Sequence, residues 1–418
     1  MPQTPDSRQS FLLLAGLMGY WGFVDALNSA AAPFMAREFG LDDVEITRTF
    51  GWMSVGAIGT YALARWADHT GRRRVLLWTV LLLGPLCLAS AVVPGLTAFV
   101  GVQVGLWALK GLLIVLVPVM ITEVLPTTER AKGQGWAGFA GSLGAGLSFV
   151  SIALVEPLPG NWRWAWALGG LALLAVIPLR RRLPESQHFE AVSERGDTER
   201  ARVRDLFSPR YRKRTLGALA IGFLVPMVVA GTQSWFVYYP VQHLGLEPFV
   251  ATLIVLGGGG VSLVGFPLGG YLSERFGRRP TFSVTATLYV FANYAFYHVH
   301  ADFPIHPALG LAPAVAGMTL LSSACAVPMR ATLTELFPTA LRATLSGGAA
   351  IAMALGTAVA YFASSALSAW LGGLPAAASV LGLGLPLAVA FFLFFLPETR
   401  GLELHEEDEA LHRETGEK

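Results

Sequence analysis

Three ionisable side chains lie within long apolar stretches: Asp25 in YWGFVDALNS, Lys110 in GLWALKGLLIV and Arg330 in ACAVPMRATL. A charged group held away from water costs about 2.5–3.5 kcal/mol on insertion scales, so each marks a candidate site. Helical spacing places Trp21, Asp25 and Asn28 on one face, and Gln103, Trp107 and Lys110 on another. A carboxylate shielded from water holds its proton more tightly, and a neighbouring cation loosens it again. An Asp–Lys pair can therefore exchange a proton against an anion, with Asp25 the expected proton site. Lys110 is then its partner or the anchor for an anionic solute; a purely structural ion pair is the alternative. Gln233, Trp235 and Tyr238 in TQSWFVYYP offer aromatic faces with polar tips, suited to a small polar solute. An interfacial aromatic belt would account equally well for the tyrosines there. Arg330 stands five residues before Glu335 and reads either as a solute contact or as a side chain snorkelling to the interface.

The elements that must carry these residues follow from composition. Of 418 residues, 54% are hydrophobic and only 14% charged, against roughly 25% charged in soluble domains. Mean hydropathy is +0.54. Twelve apolar runs are each long enough to be expected to cross a hydrocarbon core of ~30 Å as a helix. They fall near 11–36, 48–66, 75–94, 96–121, 133–155, 162–179, 215–240, 248–273, 281–299, 308–333, 343–369 and 373–396. The expectation is an all-α membrane protein: a six-helix bundle over 1–179, a charged linker at 180–214, a second bundle over 215–396 and a tail at 397–418. Asp25 then lies ~22 Å above Ser10, and Lys110 ~20 Å above Glu123, at similar depth. Twenty-five of the 30 Lys and Arg fall on one side of this topology, with Arg37, Arg48 and Arg163 opposite. The positive-inside bias puts both termini in the cytoplasm. NSAAAPFMA at 28–36 could imitate a signal-peptide cleavage site, but removing the first run would break the six-plus-six pattern.

The chain also repeats itself. ARWADHTGRRR at 64–74 echoes as GYLSERFGRRP at 270–280, EVLPTTER as ELFPTALR, and PES at 184–186 as PET at 397–399. All three pairs are separated by roughly 210 residues and sit at the expected cytoplasmic helix ends, as in transporters built from parallel repeats. Asp68, Gly71, Arg72, Arg73, Glu123, Arg130 and Glu185 form one set; Glu274, Gly277, Arg278, Arg279, Glu335, Arg342, Glu398 and Arg400 form the other. Acids and arginines beside tight turns can pair with one another and with helix termini, and such a network is expected to latch the two halves together at a cytoplasmic gate and release when they rock. A simple positive-inside anchor is the weaker alternative, because it leaves the recurring acids unexplained.

On these motifs the chain resembles the major facilitator superfamily, in the branch of sugar porters and metabolite:proton symporters. ARWADHTGRRR resembles that family's loop between helices two and three, departing at Ala64, Trp66 and His69; Glu274 replaces the acid in the second copy. RRRLPES and FLPETRG resemble the ends of helices six and twelve, and NWRW at 161–164 the start of helix six. The resemblance implies that helices one, four, seven and ten line one cavity, bringing Asp25 and Lys110 within reach of one site. It implies a secondary transporter of a small polar metabolite, with a proton as coupling ion and no other cofactor. Sugar porters carry a paired glutamine where Met227 and Val228 fall, and an arginine at the position of Gln103. These departures favour an organic anion such as a carboxylate over a sugar or polyol. A drug:proton antiporter is less supported, since GWAGFAGSLGAGLSF has that class's helix-five glycines without its proline. A transporter-like sensor would carry a large soluble domain, and the linker and tail are too short for one. Neither an enzyme nor a metal site is indicated: no nucleophile–base constellation or ligand spacing occurs. Cys87 and Cys325 read as packing residues, and GGGG at 257–260 as a small-residue packing face between membrane helices. The expected partners are a small solute and the lipid bilayer, with no nucleic acid, and the expected state is a monomer. Arginine far outnumbers lysine, which suggests the inner membrane of a GC-rich bacterium.

Overall fold

Each of the twelve apolar runs is helical in the computed structural model, which describes residues 5–126, 129–158, 160–183, 203–300, 306–337 and 339–400. No strand occurs among the described residues. Among the described residues, ten helical segments are long and apolar enough to cross a membrane. The expected span at 48–66 is instead two helices, α2 (Asp43–Ser54) and α3 (Gly56–Thr70), meeting at Val55. It begins early because Asp42 closes a capping box: its Oδ1 accepts from Glu45 N at 2.8 Å, and Asp42 N donates to Glu45 Oε2. The expected span at 281–299 is Arg278–Tyr297, diluted by hydroxyls that donate to carbonyls of their own helix, such as Ser283 and Thr285.

The chain divides into two compact units, Met1–Thr198 with Glu247–Thr252, and Glu199–Leu246 with Leu253–Lys418. In the first, α1 (Pro5–Phe39) packs most extensively on α6 (Arg130–Val155), α5 (Leu96–Val124) lies against α1, and α4 (Arg72–Val92) lies against α5. In the second, Arg212–Gln233 packs on Thr339–Leu371 in the same way, and Arg278–Tyr297 on Pro307–Glu335.

Small residues let these backbones touch, as in other membrane helix pairs. A Cβ at Gly144 would lie 1.8 Å from Gly19 O, and one at Gly22 1.9 Å from Gly141 O. The second unit repeats the device: a Cβ at Gly356 would lie 2.2 Å from Phe223 O. Large side chains left outside, such as Trp370 at 80% and Phe394 at 74% exposed, suit a lipid solvent. The GGGG run departs from expectation. Only at Gly258 would a Cβ meet a neighbour, Val315, while one at Gly257, Gly259 or Gly260 would meet nothing within 4 Å. Cys87 and Cys325 are buried free thiols.

Candidate functional site

In the first unit, α1 and α5 bring together the acid and the cation that their sequences place at equal depth. Lys110 Nζ lies 2.9 Å from Asp25 Oδ1, with the lysine side chain 5% exposed and the aspartate 45%. The contact is an ion pair of charge against charge and lacks the angles of a directed hydrogen bond. The same ammonium stands 3.5 Å from the centroid of the Trp107 ring, a cation–π contact in a desolvated setting. Lysine is thus anchored on its aromatic side, while its acid partner keeps access to solvent. Trp21, half-buried, lies over Gly141 of α6, where the missing side chain leaves room for the indole.

Beside this pair runs a buried polar ladder across three helices. Asn28 Nδ2 donates to Gln103 Oε1 at 3.1 Å, and Gln103 Nε2 donates to Ser90 Oγ at 3.1 Å. Ser90 Oγ in turn donates a hydrogen bond to Leu86 O at 2.9 Å. All three polar residues are buried, and Asn28 Oδ1 has no hydrogen-bond partner among the described residues. Ser90 escapes a reading of sequence because one hydroxyl in LCLASAVV carries no more signal than any other small residue; its spacing gives no cue.

In the second unit the helix Arg212–Gln233 ends in turns at 234–237 before resuming as Tyr238–His243. The break seats Trp235 and Tyr238 inward, both buried, with Trp235 edge-on to Tyr238 and Tyr361. Gln233 Nε2 donates to Tyr289 OH at 3.2 Å; Tyr289 OH meets Thr232 Oγ1 at 2.6 Å, and Thr232 Oγ1 donates to Val228 O. Tyr289, Tyr361 and Thr232 are further polar groups that the sequence did not single out. Arg330 is exposed and forms no ion pair among the described residues.

The repeated motifs build the same structure twice, each within its own unit. Gly71 and Gly277 both take φ 102°, a left-handed-side backbone open to glycine, between consecutive helices. Arg72 pairs with Glu123, and Arg73 Nη2 donates to Arg180 O at 2.6 Å. At the matching place Arg278 pairs with Glu274 at 2.8 Å and Glu335 at 3.0 Å, and Thr399 Oγ1 donates to Glu335 Oε2. Glu398 receives the backbone N–H groups of Arg278, Arg279 and Arg400 at 2.8, 3.0 and 3.1 Å. Arg279 also donates to Leu393 O. Burial acts to raise the Glu398 carboxyl, but the N–H donors of Arg279, Arg278, Arg400 and Thr399 outweigh it and hold it below its ordinary value. Glu185 and the side chains of Asp68, Arg130 and Arg342 lie outside the described residues. At the other end of the first unit, Glu38 accepts from Arg163 at 2.6 Å and from Trp162 Nε1 at 2.8 Å, which accounts for the polar members of NWRW.

Comparisons with known proteins cover both units. The sequence profile of the Major Facilitator Superfamily matches residues 12–319 and 259–415. A "Probable 4-methylmuconolactone transporter" of Cupriavidus pinatubonensis is 27% identical over 97% of this chain and 94% of its own length. The 4-hydroxybenzoate transporter PcaK of Pseudomonas aeruginosa is 30% identical over 49% of this chain and 46% of its own. Among solved structures, the xylose transporter XylE from E. coli superposes with a TM-score of 0.75 at 19% identity, over 96% of this chain and 98% of that one. That last likeness shows the shared fold.

Proposed function

Since the chain belongs to the Major Facilitator Superfamily, a family of multi-pass membrane transporters, we propose that it carries an organic anion together with a proton, exchanging both at the Asp25–Lys110 pair. The observation that carries this reading is the pair itself: an ammonium 5% exposed, its counter-charge 2.9 Å away on a side chain 45% exposed. A proton reaching Asp25 cancels its charge and leaves Lys110 uncompensated in a poorly hydrated site. A solute carboxylate then supplies the missing negative charge. When the solute leaves, Asp25 gives up its proton and recaptures the lysine. Proton and anion thus raise each other's affinity, a reciprocal coupling between two ligands.

The relatives named for 4-methylmuconolactone and 4-hydroxybenzoate support a small ring-bearing acid as the solute class. Trp21, one helical turn before Asp25 and half-buried, is proposed as the aromatic surface for such a ring, whereas the Trp107 face is taken up by the Lys110 ammonium. Within the second unit taken by itself, Gln233 and Arg330 are proposed as solute contacts, and the buried Trp235 and Tyr238 as the aromatic packing behind Gln233. The paired networks at Arg72–Glu123 and Arg278–Glu335 hold each unit rigid at the cytoplasmic gate. Both termini are taken as cytoplasmic, in the plasma membrane, with one chain as the working unit. A polyol or sugar is the second reading, favoured by Myo-inositol transporter 3 of Cryptococcus neoformans, 30% identical over 45% of this chain and 32% of its own length.

Thermal stabilisation of the purified protein by a panel of carboxylates, sugars and organic cations tests the reading, since a bound ligand raises apparent stability by mass action. Stabilisation by an aromatic carboxylate, strongest at acidic pH and lost in Lys110→Ala, is expected. Stabilisation by a sugar or a cation, indifferent to Lys110, would overturn it.

A further inference from the structure

The ladder beside the ion pair has a direction, and the direction has a chemical consequence. Leu86 O is a pure acceptor, and Ser90 donates to it at 2.9 Å. Ser90 Oγ therefore receives from Gln103 Nε2, which turns Gln103 Oε1 toward α1. That oxygen takes the Asn28 N–H, so the asparagine must present its carbonyl, Oδ1, at the free end. The residue is 2% exposed, and this oxygen has no partner. A buried acceptor left unmade is costly, while the same acceptor met by a donor is stabilised. Asn28 also stands one turn from Asp25 on the same face of α1, beside the proposed anion site.

We infer that Asn28 is a specificity-determining residue that accepts a hydrogen bond from a hydroxyl of the solute, so that the protein selects hydroxylated acids over ethers and unsubstituted acids of the same shape. Gln233 has the same polarity in the second unit. Its amide N–H is committed to Tyr289, whose hydroxyl meets Thr232 on the way to Val228 O, which leaves Gln233 Oε1 as the end that accepts. Ser90 acts through Gln103 as a positioning residue. The inference rests on the proposed anion site for where the solute sits, and on the ladder alone for what Asn28 offers it.

The test is equilibrium binding to the purified full-length protein with benzoate, its 3- and 4-hydroxy forms and the matching methoxy forms, on wild type, Asn28→Ala and Ser90→Ala. One hydroxy isomer is expected to bind at least about five-fold tighter than its methoxy form, the scale of one net hydrogen bond. Asn28→Ala should erase that ratio while benzoate binding persists, which also reports that the variant is folded. Ser90→Ala, by freeing Gln103 to reverse, should shrink the ratio of hydroxy to methoxy binding. Equal binding of hydroxy and methoxy forms in wild type, or an unchanged ratio in Asn28→Ala, overturns the inference even where Lys110-dependent carboxylate binding stands. If carboxylates fail but myo-inositol binds, the anion reading falls, and the same comparison of inositol with its methyl ethers decides Asn28. Binding of neither class overturns both.

Discussion

Replacing Asp25 by Asn isolates the exchange at the heart of the proposed cycle. The substitution keeps size and removes charge, so it holds the site as if permanently protonated. Lys110 remains, 5% exposed and without its counter-charge. Stripping one partner from a fully buried pair costs about 3–5 kcal/mol. Because Asp25 is 45% exposed, water screens part of that interaction; about 1.5–2.5 kcal/mol is a fair discount. An anion that pairs with Lys110 recovers this amount in the variant but must displace Asp25 in wild type. At 1.4 kcal/mol per tenfold, the variant should bind the anion about 10- to 60-fold tighter than wild type at neutral pH. Titration calorimetry or radioligand binding in detergent, run at pH values from acidic to neutral, reads this directly. Wild type should approach the variant only at the acidic end, and the variant should be flat. Equal or weaker binding in Asp25→Asn, with the pH dependence of wild type intact, would refute the exchange.

Other expectations follow from the same geometry. Lys110→Ala should lose carboxylate binding by at least tenfold, the scale of one buried counter-charge, while the folded yield falls, because Asp25 and Trp107 lose their common partner. Gly144→Leu should abolish a folded product, since its Cβ would lie 1.8 Å from Gly19 O, whereas Gly259→Ala, with nothing within 4 Å, should leave yield and melting temperature unchanged. Glu398→Gln should lower thermal stability at neutral pH. The carboxyl of Glu398 is held below its ordinary value of 4.5, so its contribution is present above that value and lost as pH falls through the lower folded-state value. The melting gap between wild type and Glu398→Gln should therefore close on acidification below about 4.5.

How much of this was legible in the sequence depended on whether a feature is local. The apolar runs announced the helices because a membrane span must satisfy its own backbone and needs only length and hydropathy. Asp25 and Lys110 stood out because charge is rare in such runs, and their equal depth followed from counting residues. Gly71 and Gly277 could be paired by their neighbours and then shared the same backbone angle. What could not be read is set by packing partners. The helical hydrogen-bond ladder lapses at Val55, whose backbone nonetheless stays helical, and Ser90 and Tyr289 take their roles only from what stands opposite them. The GGGG run shows the converse: small residues invite close packing, but only Gly258 finds a neighbour.

The most direct test of coupled proton and anion entry is uptake into proteoliposomes of wild type, Asp25→Asn and Lys110→Ala, with proton and radiolabelled 4-hydroxybenzoate fluxes followed together. An inward acid gradient should drive accumulation in wild type with proton entry tracking the anion. Asp25→Asn should allow only exchange down a gradient, and Lys110→Ala should be inactive. Accumulation that persists in Asp25→Asn, or anion entry with no accompanying proton in wild type, would contradict the coupling.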